Sequence, residues 1–224
     1  MLPFPFRRTH ILVLAIALSV IGANAQERKS PNSDAQSALQ RGQQALQAGD
    51  LGTAKAEFKK AVQLAPTDAA AQSALGWVLA QQGESESAVV HLRAALKAKP
   101  DFVDAQLTLA SVLVHQGKVA EGTEQARAAA KGAPGNAEAH RTLARILSST
   151  DPDESLREMQ RAVDLAPQRA DLRDDLGTLM AQRNQFEDAE KQYSEAIRLR
   201  PDSVHNSLLV YERGPAYVSN RLLI

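Results

Sequence analysis

Cysteine is absent from all 224 residues. That excludes a disulfide framework, a thiolate nucleophile, a thiolate metal site and lipid attachment at an N-terminal cysteine. Excess charge of one sign is missing as well. Twenty-six basic residues face 26 acidic ones, so no basic field draws nucleic acid or an anionic membrane. Aromatic residues are only 4% of the chain, with a single tryptophan. The motifs of local chemistry are lacking too. There is no G-x-S-x-G elbow, no G-x-x-x-x-G-K-S/T phosphate loop and no G-x-G-x-x-G turn. His91, His115, His140 and His205 have neither H-x-x-x-H nor H-E-x-x-H spacing, and they read as surface or partly buried polar groups. Asp171, Asp174 and Asp175 lack the alternation of a calcium loop and read as partners of Arg169 and Arg173. The expectation is a non-catalytic chain with no metal site and no cofactor.

Long apolar runs are scarce. The exception is Ile11–Gly22, preceded by Arg7-Arg8 and followed by Ala23-Asn24-Ala25. A positive start, a short apolar core and a small-x-small end read as a cleaved signal peptide over residues 1–25, the alternative being an uncleaved anchor. The mature chain then begins at Gln26, in the periplasm or outside the cell, with no membrane span after cleavage. Cleavage removes two arginines and no acid, leaving a net charge of −2, still too small to name a partner. Residues 26–34 read as a polar linker.

What is present is a ruler of prolines. Pro66, Pro100, Pro134, Pro167 and Pro201 are spaced by 34, 34, 33 and 34 residues. Proline interrupts a helix interior, so each marks a helix end or the loop after it. Between them the apolar residues keep helical spacing. Five units follow: 35–68, 69–102, 103–136, 137–169 and 170–203. Leu75-Gly76 and Leu79, then Ala88, Leu92, Ala95 and Pro100, form the clearest register. Leu176-Gly177, Met180, Ala189, Tyr193, Ala196 and Pro201 repeat it, and Gly42, Ala54, Phe58, Ala61 and Pro66 open it.

This register resembles the tetratricopeptide repeat family over residues 35–203. The resemblance implies an all-α solenoid of about five helix-turn-helix repeats wound into a right-handed superhelix. The family's tryptophan is replaced by Ala38, Gln72, Gln106, His140 and Arg173. Small residues such as Gly76, Gly177, Ala88 and Ala189 suit close helix crossings, while Phe58, Leu92 and Tyr193 fill the space between helices.

Turns within repeats fall at Gly49-Asp50, Gly83-Glu84, Gly117-Lys118 and Asn184-Gln185. Repeat four uses Ser149-Thr150, close to its one-residue deletion. Ser33 with Gln36 reads as a capping box, and Asp151 as an N-cap ahead of Pro152 and Glu154. Residues 204–224 lose the pattern and end in Leu222-Leu223-Ile224. They read as an irregular cap or a truncated sixth repeat.

The resemblance also implies that first helices line a concave groove, with Leu39, Gln43, Ser73, Trp77, Leu107, Ser111, Arg141 and Arg145 among its facing positions. Trp77 is either an exposed anchor or packed against a neighbouring first helix. Arg141 and Arg145 share a helix face and either fork onto a ligand's carboxylate or phosphate, or pair with Glu138 and the acids of repeat five. Leu39 and Gln43 replace the lysine and asparagine of the carboxylate-clamp version. The expected function is a protein-interaction scaffold of the cell envelope that takes a peptide or protein in the groove. The alternatives are a targeting or regulatory segment of a larger exported enzyme, and weak self-association through the apolar end.

Overall fold

The computed structural model describes residues 31–201. The expected signal peptide, the start of the linker and residues 204–224 lie outside them. Among the described residues ten helices form five antiparallel pairs. The first pair is α1 (Pro31–Gln47) with α2 (Leu51–Leu64), and the second is α3 (Ala69–Gln81) with α4 (Ser85–Ala98). Then come α5 (Val103–His115) with α6 (Val119–Gly132), α7 (Ala137–Leu147) with α8 (Pro152–Leu165), and α9 (Ala170–Gln182) with α10 (Phe186–Leu199). Each helix packs most closely on its own partner, and each second helix packs next on the first helix of the following pair. The result is an α-solenoid.

The start differs from the expectation. Ser33 already lies within α1, so it is not a cap. The Ser33 carbonyl accepts the Ser37 hydroxyl at 2.8 Å, a bond within the helix. Asp151 does cap α8, accepting the Glu154 N–H at 2.9 Å with Pro152 as the first helical residue.

The intra-repeat turns explain the short fourth repeat. In pairs one, two, three and five the first helix ends in the same two bonds. Glu84 N–H reaches the Leu79 carbonyl at 2.9 Å and Gly83 N–H the Ala80 carbonyl at 3.1 Å, with counterparts at Asp50, Lys118 and Gln185. This closure needs one left-handed residue, which is Gly49, Gly83, Gly117 or Asn184, each at positive φ. In pair four Asp151 N–H returns to the Leu147 carbonyl at 2.8 Å instead. That shorter closure uses no positive-φ residue, and the deleted position is the left-handed one.

Packing within pairs follows a small-against-large rule. A Cβ placed on Gly42 would lie 2.4 Å from the Phe58 ring, on Gly76 2.7 Å from Leu92 Cγ, and on Gly177 2.8 Å from the Tyr193 ring. In pair three the small residue moves to the second helix, where Gly122 abuts the Ala110 carbonyl and Val114. In pair four Ser155 takes that place, fully buried, its hydroxyl donating to the Ala144 carbonyl at 2.7 Å. The core is a run of clusters along the array, centred on Phe58 and Leu92, then Leu143 and Leu147, then Met159, Leu172 and Leu176.

The junctions between pairs carry a second rule. Four of the residues that replace the family's tryptophan reach back to the proline of the previous pair. Gln72 donates to the Pro66 carbonyl at 2.7 Å, Gln106 to Pro100 at 2.9 Å and Arg173 to Pro167 at 3.1 Å, while His140 Nε2 stands 3.1 Å from the Pro134 carbonyl. Three of them also contact their own second helix. Gln72 Oε1 meets His91 Nδ1 at 2.7 Å, His140 Nδ1 meets Glu158 at 2.6 Å, and Arg173 donates to Gln192 at 3.2 Å. His140 is buried at 3% exposure, deeper than the surface or partly buried position expected of it. His91 is half-buried, and burial lowers its pKa.

Candidate functional site

α3 packs directly on α5, and α5 on α7, whereas no second helix packs comparably on the next second helix. The array is therefore tighter on the side of the first helices, and those helices line the inside of its curve. One position per first helix, Gln43, Trp77, Ser111, Arg145 and Thr178, forms a stripe of polar and aromatic groups along that side.

Trp77 is 38% exposed. Its neighbours Gly76 and Val78 are buried in the core, so a rigid scaffold presents the indole to solvent. Gln43 and Ser111 are exposed, the Ser111 hydroxyl donating to the Leu107 carbonyl at 3.0 Å. Leu39 and Leu107 are half-buried and pack against core clusters, leaving only an edge to a partner. Ser73 departs from the expectation. At 7% exposure it is buried in α3 and presents almost no surface to a partner.

Arg141 and Arg145 lie one helical turn apart and do different things. Arg141 donates to Asp175 at 2.6 Å and to Asp171 at 2.9 Å, with Glu138 at 3.6 Å. Arg169 joins the same cluster through Asp171 and Glu138. Burial works to lower the Arg141 pKa, but the Asp175 bond and the surrounding carboxylates outweigh it and the pKa rises. Arg169 is raised mainly by its bond to Asp171. That same bond, helped by the charge of Arg141, holds Asp171 below the usual carboxylate range against the opposing effect of burial. Arg141 is thus a tie between α7 and α9, and the ligand-fork reading of this residue is replaced by the pairing one. Arg145 is exposed, and its guanidinium has no ion pair or hydrogen bond among the described residues. It borders a cavity of about 290 Å³ with Ser148, Asp175, Thr178, Gln182 and two apolar residues.

The outer side differs. Exposed pairs Lys55–Glu84, Arg93–Glu121 and Arg127–Glu154 link successive second helices, each worth little singly. Among the described residues no cluster of three or more His, Cys, Asp and Glu is placed to hold a metal ion. Nor is any described helix long and apolar enough to cross a membrane.

A stack of helix pairs with an inner face of presented side chains defines a helical-repeat scaffold of the kind that holds other proteins. Two tetratricopeptide repeat profiles match the sequence, one over residues 79–146 and the other over 39–101 and 147–204, and the chain belongs to the tetratricopeptide repeat family. Among solved structures it is similar to PilF of Pseudomonas aeruginosa, with 20% identity, coverage of 83% of this chain and 84% of that one, and a TM-score of 0.72. MamA of Desulfovibrio magneticus RS-1, from residue 41 to its end, shares 21% identity, with 75% and 96% covered and a TM-score of 0.63. YrrB, described as a TPR protein with an unusual peptide-binding site, shares 22%, with 85% and 96% covered and a TM-score of 0.59. At these identities the likeness is one of fold. No curated protein matches the sequence.

Proposed function

We propose that this chain is an exported, non-catalytic scaffold that holds an extended segment of a partner protein on the inner face of its array. The observation that carries the reading is Trp77, an exposed aromatic ring fixed to a packed helix at the centre of an uncharged stretch of groove. Large rigid aromatics of this kind supply contact area at small entropic cost and recur as binding hot spots. Gln43 and Ser111 beside it offer amide and hydroxyl groups that suit a peptide backbone. The YrrB description favours peptide ligands in a fold of this shape.

Export rests on the Arg7-Arg8, Ile11–Gly22 and Ala23-Asn24-Ala25 pattern. Fusing the chain to a reporter that is active only outside the cytoplasm tests it, together with N-terminal sequencing of the secreted product. Activity with a new terminus at Gln26 is expected, and an inactive reporter would remove the envelope from the reading. The groove is tested by replacing Ser111 with a photo-crosslinking residue and irradiating in the cell. A crosslinked partner that disappears in Trp77→Ala is expected. Crosslinks indifferent to Trp77 would move the binding face elsewhere.

A further inference from the structure

The reading of the groove as a peptide site leaves open which peptides it takes, and three features of the inner face bear on that. The first is Trp77. The second is Arg145, two repeats further along the same stripe, whose guanidinium is exposed and unpaired among the described residues while Arg141 one turn away is saturated. The third is the cavity of about 290 Å³ at Arg145, walled by Ser148, Thr178, Gln182, Asp175 and the apolar Met159 and Leu179. Between Trp77 and Arg145 the stripe passes Ser111 and the half-buried Leu107, with no charge at either. Asp104, at the first turn of α5, is the nearest exposed acid on that helix.

We infer, resting on the peptide reading above, that the groove selects an extended segment with an apolar side chain on Trp77 and a glutamate or aspartate side chain in the Arg145 cavity. Neighbouring first helices sit about 8–10 Å apart, so two steps span about 16–20 Å. At about 3.3 Å per extended residue, the apolar and acidic positions are five or six residues apart, with uncharged residues between. A cation with no partner among the described residues attracts an anion, and the charges around it set which one is held at least cost. Arg141 and Arg169 face Glu138, Asp171 and Asp175, a cluster one charge negative. Arg145 brings the sum to zero. A carboxylate then adds one negative charge and a phosphate two, against the opposing Asp175 on the cavity wall, so the singly charged group costs less to hold at Arg145.

The test uses a displayed library of random twelve-residue peptides selected on the whole chain. The recovered peptides are made with amidated C-termini so that side chains supply the only carboxylates. Trp77 is the only tryptophan, so its emission reports groove occupancy directly. Recovered peptides should share an apolar and an acidic residue five or six positions apart. Changing that acid to its amide should weaken binding about tenfold. Arg145→Gln should do the same, and the two changes together should cost no more than either alone. Arg145 is exposed, and unchanged helix content would show that the variant folds. Peptides that shift Trp77 emission but carry no acid, or whose acid is indifferent to Arg145, would overturn this inference and leave the peptide reading standing. Tighter binding when phosphoserine replaces the acid would overturn the carboxylate assignment. If no peptide alters Trp77 emission, the peptide reading itself falls.

Discussion

The side-chain amide of Gln106 donates to the carbonyl of Pro100 across 2.9 Å. Pro100 closes one helix pair and Gln106 lies in the first helix of the next, so the bond spans the junction. It also satisfies a carbonyl that the turn leaves without a helical partner. Gln106 is buried, and Gln72, His140 and Arg173 repeat its role at the other three junctions. Gln106→Leu keeps the volume and removes the donor. Thermal or urea unfolding should show a loss of about 1–3 kcal/mol. An unchanged midpoint would mean that water replaces the bond at no cost.

His140 tests the same device by rescue. Glutamine serves at the equivalent place in pairs two and three, so His140→Gln keeps a donor for the Pro134 carbonyl. His140→Leu loses that bond and also leaves Glu158 without its partner. The leucine variant should be less stable than the glutamine variant by about 1–2 kcal/mol. Equal midpoints would show that the junction does not depend on the donor.

Two glycines in one helix should respond in opposite directions. A Cβ on Gly122 would meet the Ala110 carbonyl oxygen at 2.8 Å and Val114 Cγ2 at 2.6 Å, whereas a Cβ on Gly132 meets nothing within 4 Å. Alanine raises helix propensity at either site by up to about 1 kcal/mol. At Gly122 the backbone oxygen cannot move aside without shifting a helix, so Gly122→Ala should destabilise by about 1–3 kcal/mol. Gly132→Ala should be neutral or mildly stabilising. Chemical denaturation of both variants checks the contrast.

The Arg141 cluster predicts a pH dependence. Asp171 is held below its ordinary range by Arg169, with Arg141 adding to the effect. A depressed carboxylate contributes stability that is present above its unfolded pKa, about 4, and lost as pH falls through the folded value. The melting temperature should fall below about pH 4, and less steeply in Asp171→Asn. Arg141→Met should destabilise at neutral pH and couple non-additively to Asp175→Asn, since each removes the same 2.6 Å bond. Strict additivity would show that the cluster is decorative.

Trp77 should matter to binding far more than to folding. Trp77→Ala removes an exposed ring, while Leu79→Ala empties a buried site two residues on. The first should cost well under the second's 2–5 kcal/mol. Comparable losses would mean that the indole is structural.

Much of the fold was legible because its signals are local and recur. The prolines at 34-residue spacing, Gly76 with Leu92, and Asp151 ahead of Pro152 each act within a few turns of chain, so one reading applied five times reinforces itself. Gln72, Gln106, His140 and Arg173 were visible only as places where a tryptophan was missing. Their common polarity was the available signal, but an acceptor six residues back on a turn is not marked by any residue type. The two candidate arginines were indistinguishable in sequence, since both sit at groove positions four residues apart.

The sequence by itself determined the helix pairs and the solenoid class, because apolar period, turn chemistry and proline placement are properties of neighbouring residues. Only the tertiary structure decided that Ser73 is buried, that His140 is an interior bond and that Arg141 is spent on Asp171 and Asp175 while Arg145 has no partner among the described residues. Those outcomes depend on which side chains of adjacent repeats come within 3 Å of one another, and that is set by how the helices stack.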